Sequence, residues 1–354
     1  MIENLKTVAF TDNGESIATK IAQLYNGEYT RCGRYVSIGK WVSDTFENAD
    51  ALVFVGATGI AVRAIAPYVK SKATDPAVVV IDDKGQYVIP ILSGHIGGAN
   101  NLAREIADSI GAKAIITTST DINGVLGIDE WAVNNGLIID ETSAIKRVSS
   151  KLIAGKSIKI ASIYKITKDS NENIGNIEIQ EFNSSIDINK IRSEYDVIID
   201  YHRINSEKNS DGSSSPLHLI PRTLFVGIGC KRGTSKEAIV AAYIEFLRSN
   251  NIDPKAICGF ASIDLKSNEQ GLLDFAGEEG IDISFYTAGE LNSVEGEYTS
   301  SEFVHRITGT DNICERSAVF RGEKGSRIIV KKTRFDGITM AIAEKNPGTY
   351  IIKK

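Results

Sequence analysis

Leu92-Ser93-Gly94-His95-Ile96-Gly97-Gly98-Ala99-Asn100 is the stretch around which the chain is organised. The apolar run before it, Tyr87 to Leu92, reads as a buried strand. After Asn100, Leu102, Ile106 and Ile110 recur at helical spacing, with Ala99 and Ala103 beside them. Ser93 to Gly98 is therefore a glycine-rich crossing from a strand end to a helix start. Glycines there let the backbone turn sharply and let a ligand come close. A helix start adds free N–H groups and a positive dipole end, which suit an anion. One of only four histidines, His95, sits inside the turn. Strand-end loops are where α/β proteins place reacting groups, and an imidazole can act as a base near neutral pH.

Working outward, Lys6 to Phe10, Ala51 to Val55 and Ala77 to Ile81 read as strands, and Glu15 to Tyr25 as an amphipathic helix. Continuous apolar runs such as Ala51 to Val55 fit a parallel sheet covered on both faces. A helix begins near Ile60 and is shortened or kinked by Pro67. Asp82 to Gly85 is a turn into the next strand, and Ala114 to Thr118 reads as a further one. Strands alternating with helices predict an N-terminal, mostly parallel-sheet α/β domain over 1–140. Three strand ends run into small or polar loops: Gly56 to Gly59, Ser93 to Gly98 and Thr117 to Asp121. If their strands are neighbours, the loops share one cleft beyond the carboxyl ends.

From 141 to 222 the texture changes to short alternating stretches such as Ser157 to Ile160 and Asn176 to Ile179, with polar runs at Lys168 to Asn173 and Ser206 to Pro216. This predicts a small central module with β content and a linker. From 223 to 354 a second α/β domain is read. It opens with a strand at Leu224 to Gly229 and a helix capped by Thr234-Ser235-Lys236-Glu237. Further strands are read at Ala256 to Ile263, Asp282 to Tyr286, Ile328 to Lys331 and Ile338 to Ala343.

The 354 residues suit two or three domains. A formal net charge of −5 argues against a general nucleic-acid binder. Cys32, Cys230, Cys258 and Cys314 form no CxxC pair, so neither a zinc knuckle nor a disulfide framework is indicated, and scattered thiols fit a reducing cytoplasm. Met1 to Thr11 lacks the pattern of a signal peptide. No apolar run approaches the ~20 residues of a membrane span. His202, His218 and His305 have no ligand-like spacing, so no dedicated metal site is expected.

His95 is the candidate base, with Ser93 beside it and Asp121 to orient the imidazole or a water. No GxSxG elbow supports a serine hydrolase. Gly94, Gly97, Gly98 and Asn100 line the turn. The hydroxyls of Thr117 and Thr118 either bind a substrate carboxylate or form a plain polar loop. Arg63 and Lys72 either neutralise an anion or are solvated surface charges. Gly227-Ile228-Gly229-Cys230-Lys231-Arg232-Gly233 has glycines at the wrong spacing for a dinucleotide fingerprint. Its basic pair, Lys231 and Arg232, precedes a helix start and favours an anion.

Ser71 to Val78, Leu92 to Asn100 and Thr117 to Asp121, followed by Gly227 to Gly233, Ala261 to Lys266, Cys314 to Ala318 and Gly337 to Ala343, resemble in order the CbiG family, the cobalt-precorrin-5A hydrolases of anaerobic cobalamin synthesis. Ser119 stands where the family has alanine, and Thr308 where valine precedes Gly309. The resemblance implies a C-terminal CobE-like α/β domain. It implies a C–C bond hydrolase that opens the δ-lactone of cobalt-precorrin-5A and releases acetaldehyde to give cobalt-precorrin-5B. The cobalt would be carried by the substrate, with no protein-held cofactor. Arg63, Lys72, Lys231 and Arg232 would then meet the substrate's acetate and propionate groups, with Gly229 also at the substrate site. For the hydrolytic reaction that the resemblance implies, backbone N–H groups near Gly97 and Gly98 are candidate oxyanion donors. The macrocycle is expected between the N- and C-terminal domains. No membrane or nucleic acid is implied, only transient contact with other enzymes of the pathway. The competing reading is a non-catalytic cobalt-tetrapyrrole carrier.

Overall fold

The computed structural model describes residues 2–33, 36–71, 74–169, 175–204 and 215–352. The first sheet is built from β1 (Leu5–Ala9), β2 (Glu28–Arg31), β3 (Ala51–Val55), β4 (Ala77–Ile81), β5 (Tyr87–Leu92) and β6 (Lys113–Ala114), in the order β2-β1-β3-β4-β5-β6. It is parallel except between β4 and β5. The helices α1 (Asp12–Leu24), α2 (Ile38–Thr45), α3 (Thr58–Ile65) and α4 (Ala99–Ile110) accompany it. Every residue of β3 and β4 is buried, because side chains pack on both faces of the sheet. Leu102 and Ile106 of α4 join Val53 and Val79 in one cluster, and Trp41 and Val42 of α2 join Phe54 and Val80 in another.

Two expectations change here. β2 and α2 are not anticipated from the sequence. The strand expected through Thr118 ends at Ala114. Ile115 N–H still bonds the Val88 carbonyl, but the next rung would need an N–H from residue 90, which is Pro90. The chain then leaves the sheet for α5 (Ser119–Ile122) and α6 (Ile128–Asn134).

The middle of the chain is an α/β sheet in its own right. Its elements are β7 (Leu137–Ile139), α7 (Ser143–Ile153), β8 (Ile158–Ser162), β9 (Ile166–Lys168), β10 (Ile177–Glu181), α8 (Ile188–Ile191), β11 (Val197–Ile199) and β12 (Leu217–Pro221). The order is β10-β8-β11-β12-β7, parallel apart from β7. Residues 206–214 of the expected linker and 170–173 of the polar run lie outside the described residues.

The C-terminal part contains β13 (Leu224–Cys230), α9 (Lys236–Ser249), β14 (Ile257–Ile263), α10 (Gln270–Glu279), β15 (Ile283–Tyr286), α11 (Ala288–Asn292), α12 (Glu302–Thr308), α13 (Cys314–Arg321), β16 (Arg327–Phe335), β17 (Ile338–Glu344) and β18 (Tyr350–Ile352). The sheet order is β15-β14-β13-β17-β16. β13, β14 and β15 run parallel, while β17 is antiparallel to both β13 and β16. The cap of α9 is Ser235, which accepts from Ala238 N–H, while Thr234 donates to the Lys231 carbonyl. One continuous hydrophobic cluster runs from Leu126 and Trp131 through β8, β13 and α9 to Ile352. β18 pairs in parallel with β9, tying the last strand to the middle of the chain.

Candidate functional site

The direction of β5 decides which loops meet. Because β5 is antiparallel to β4, Leu92 lies opposite Val78, whereas Gly56 follows the other end of β3, where Val55 pairs with Ile81. The Gly56 to Gly59 loop is therefore at the far end of the sheet from Ser93. Arg63, exposed on α3, is not brought to the His95 turn. β6 runs parallel to β5, so the Thr117 to Asp121 segment does join Ser93 to Gly98. Two of the three expected loops share a site. Lys72 lies outside the described residues.

The turn is held from within. Ser93 takes a left-handed φ of 55° and its hydroxyl donates to the Asp75 carbonyl at 2.9 Å. This bond anchors the turn and directs the Ser93 hydroxyl to Asp75, while the His95 ring bonds Asp129, Asp121 and Thr120. A side chain at Gly97 would collide with Ser93, and one at Gly94 would sit 2.8 Å from Asn100 Oδ1. Gly98 caps α4 in the left-handed region. The N–H groups of Gly98, Ala99 and Asn100 donate to the carbonyls of His95, Ser93 and Gly94. The Gly98 N–H is thus occupied, which corrects its reading as an oxyanion donor. The glycines serve close packing of the turn.

His95 lies among carboxylates from two further elements. Its Nδ1–H donates to Asp129 Oδ1 at 2.9 Å, and Nε2 is 3.4 Å from Asp121 Oδ2, 3.3 Å from Thr120 Oγ1 and 3.8 Å from Glu130 Oε2. Asn100, fully buried, donates to Thr118 Oγ1 at 2.9 Å and to Asp121 Oδ2 at 3.2 Å. Arg104, one turn further along α4, pairs with Asp121 and stands 3.5 Å from Glu130 Oε1. Thr117 is exposed and outside this network.

The charge states follow from the packing. Burial pushes His95 down, but hydrogen bonds to Asp121 and Asp129, with the charges of Asp129 and Glu130, outweigh it and hold the imidazole up at about 10. At neutral pH His95 is an imidazolium, so its reading as a free base is corrected. Burial is the largest influence on Asp121 and Asp129 and raises both, but the hydrogen bond and charge of His95, joined by Arg104 at Asp121 and by backbone N–H groups at Asp129, together outweigh it and keep both below the usual carboxylate range. Glu130 moves the other way. Burial raises it, and the charges of Asp121 and Asp129 add to this against the pull of His95 and Arg104.

A cleft of about 360 Å³ opens on this cluster, lined by Arg104, Thr120, Asp121, Glu130 and Trp131 among others. His95 stands behind that lining. The residues not anticipated from the sequence, Arg104, Asp129 and Glu130, supply most of the charge of the cluster around His95, and Arg104 and Glu130 also line the cleft. One ligand atom each from His95, Asp121 and Glu130 fall within 4.8 Å of one another, a spacing that suits a divalent cation. Arg104 already lies against both carboxylates of that group. Gly229, Lys231 and Arg232 line a separate cavity beside β13. Gly227 is glycine because α13 crosses β13 so closely that a side chain there would meet the Cys314 carbonyl. Among the described residues, no helix is long and apolar enough to cross a membrane.

Residues 40–121 match the family model described as Cobalamin synthesis G N-terminal, and residues 224–343 match Cobalamin synthesis G C-terminus. The chain is 30% identical over 352 residues to a protein of Salmonella typhimurium named cobalt-precorrin-5A hydrolase, covering 96% of this chain and 97% of that one. A protein of the same name from Priestia megaterium is 31% identical over 87% of this chain and 82% of its own length. Protein CobE of a Sinorhizobium species is 27% identical over 132 residues, 37% of this chain and 84% of that protein. The chain belongs to the CbiG family, the hydrolases of cobalamin synthesis.

Proposed function

We propose that this protein hydrolyses the δ-lactone of cobalt-precorrin-5A and releases acetaldehyde, giving cobalt-precorrin-5B. The observation that carries the chemistry is the pairing of Glu130 with Arg104 on the cleft. Glu130 is a carboxylate made more basic by its surroundings, and a base in that condition suits removal of a proton from water. Water then adds to the lactone carbonyl, and the guanidinium of Arg104 stabilises the tetrahedral oxyanion. Collapse breaks the ring C–O bond and leaves a carboxylate and a secondary hydroxyl. Loss of that hydroxyl's proton forms the C=O of acetaldehyde as the C–C bond to the macrocycle breaks. The bond's electron pair passes to the conjugated ring, which is later protonated. No redox cofactor is required, and the cobalt arrives with the substrate.

His95 acts here as a positioning residue. Its positive charge and two hydrogen bonds fix Asp121 and Asp129, and Asp121 in turn orients Arg104. The cleft's size suits one edge of a tetrapyrrole, the lactone-bearing one, rather than the whole ring. The test is acetaldehyde release from cobalt-precorrin-5A under anaerobic conditions, with product mass followed in parallel. Prompt release with the matching mass loss supports the reading. Tight binding without acetaldehyde turns it to a carrier.

A further inference from the structure

A second cavity, separate from the cleft at Glu130, differs from it in charge. The described linings of that cleft and of the adjoining groove on the other side of Asn101 contain Asp50, Asp75, Glu105, Asp121 and Glu130, with Arg104 as the sole cation. Such walls repel a polycarboxylate. The cavity beside β13 has the opposite character. It encloses about 650 Å³ and its described lining holds no acidic residue. Phe303 and Ile307, four apart on one face of α12, are 66% and 63% exposed at its edge, and Leu265 is half exposed. Large apolar side chains are seldom left grouped in water without a partner. Around them stand Lys231, Arg232, Lys266 and Arg334. Two carboxylates from outside the lining approach these cations: Asp336 at 3.9 Å from Lys231, and Glu269 at 3.0 Å from Lys266 and 3.5 Å from Arg232. The cations still outnumber them.

We infer that this C-terminal cavity is a binding site, separate from the Glu130 cleft, for a flat, largely apolar macrocycle bearing several carboxylates. Its face would lie on Phe303, Ile307 and Leu265, with its carboxylates reaching the four cations. Charge complementarity selects this occupant over a peptide or a neutral lipid, because apolar contact and multiple anionic groups are both required. Identifying the macrocycle with the cobalt-tetrapyrrole substrate rests on the proposed function; the binding chemistry does not.

The probe is coproporphyrin, a planar tetracarboxylate, titrated into the full chain and followed by its absorbance. Binding is expected in the wild type. It should weaken about tenfold or more in Phe303→Asp/Ile307→Asp, which removes apolar contact and adds repulsion. Lys231→Glu/Arg334→Glu should weaken it similarly, with a flatter dependence on salt. All four side chains are exposed, so the folded state is retained; matching circular dichroism verifies this. Glu130→Gln should bind coproporphyrin as the wild type does. Absence of binding by the wild type, unchanged affinity in both pocket variants, or equal competition by benzenehexacarboxylate, which has no extended apolar face, would each overturn the assignment. If coproporphyrin binds as expected but cobalt-precorrin-5A yields no acetaldehyde, the hydrolase reading fails and the cavity assignment stands.

Discussion

At the scale of single residues, Glu130 and His95 divide the work, and their variants should differ in kind. Glu130→Gln keeps the shape of the cleft and removes the base, so acetaldehyde release should fall by about 10²–10⁴-fold while binding persists. A variant within a few-fold of wild type would remove Glu130 from the mechanism. His95→Gln should lower the rate too, but its signature is the pH profile. Loss of the imidazolium takes a nearby positive charge from Glu130, so the acidic limb of kcat/KM should move to higher pH. An unmoved limb would mean that His95 only fills space. Stability gives a second readout. His95 is held up at about 10, above its ordinary value of 6.5. Its stabilising contribution is therefore complete below pH 6.5 and is lost as pH rises through 10. The melting temperature of the wild type should fall over that window more steeply than that of His95→Gln. Parallel curves would contradict the assigned charge state.

At the scale of elements, the glycines test whether the turns and crossings were understood. Gly227→Ala drives a methyl group into the Cys314 carbonyl where α13 crosses β13. Denaturant unfolding should show a loss of about 1–3 kcal/mol or more. Gly277, exposed inside α10 with nothing near its absent Cβ, is the contrast: Gly277→Ala should stabilise by about 0.5–1 kcal/mol. Equal effects would mean that the crossing is looser than described. Much of the element pattern is legible in the sequence because apolar runs as strong as Ala51 to Val55 and Ala77 to Ile81 admit one reading. Even the reversal of β5 is legible. The short turn at Asp82 to Gly85 can join only antiparallel strands, which already separates the Gly56 loop from the Ser93 loop. β2 and α2 escape because Glu28 to Arg31 has no apolar run and α2 is a short amphipathic helix. Arg104 is within reach of a sequence argument, since it follows Asn100 by one helical turn. Asp129 and Glu130 are not, because α6 reaches His95 only through tertiary packing, and nothing local links it to the glycine turn.

At the scale of the whole molecule, the site depends on the far end of the chain. α6, which carries Asp129 and Glu130, also carries Trp131. The indole N–H of Trp131 donates to the Ile351 carbonyl at 2.9 Å, and its ring meets Tyr350 edge-on at 6.3 Å. Tyr350 packs in the same way against Tyr164 at 5.8 Å, and Ile352 is wholly buried. β18 is thus a brace between β9, with which it forms a two-stranded sheet, and the helix bearing the proposed base. Ending the chain after Gly348 leaves the Trp131 N–H without its partner, at a cost of about 1–3 kcal/mol. It also forfeits the burial of Tyr350 and Ile352, each contributing about 1.5–3 kcal/mol. The shortened protein should melt several degrees lower, and acetaldehyde release should fall even at temperatures where it remains folded, because α6 has lost its support. Ile351→Ala separates the brace from simple loss of side chains. Ile351 is half exposed and contributes its backbone carbonyl to Trp131, so this variant should keep both the wild-type rate and the wild-type melting temperature. A shortened chain that is destabilised yet turns over normally while folded would show that α6 holds Glu130 in place without β18.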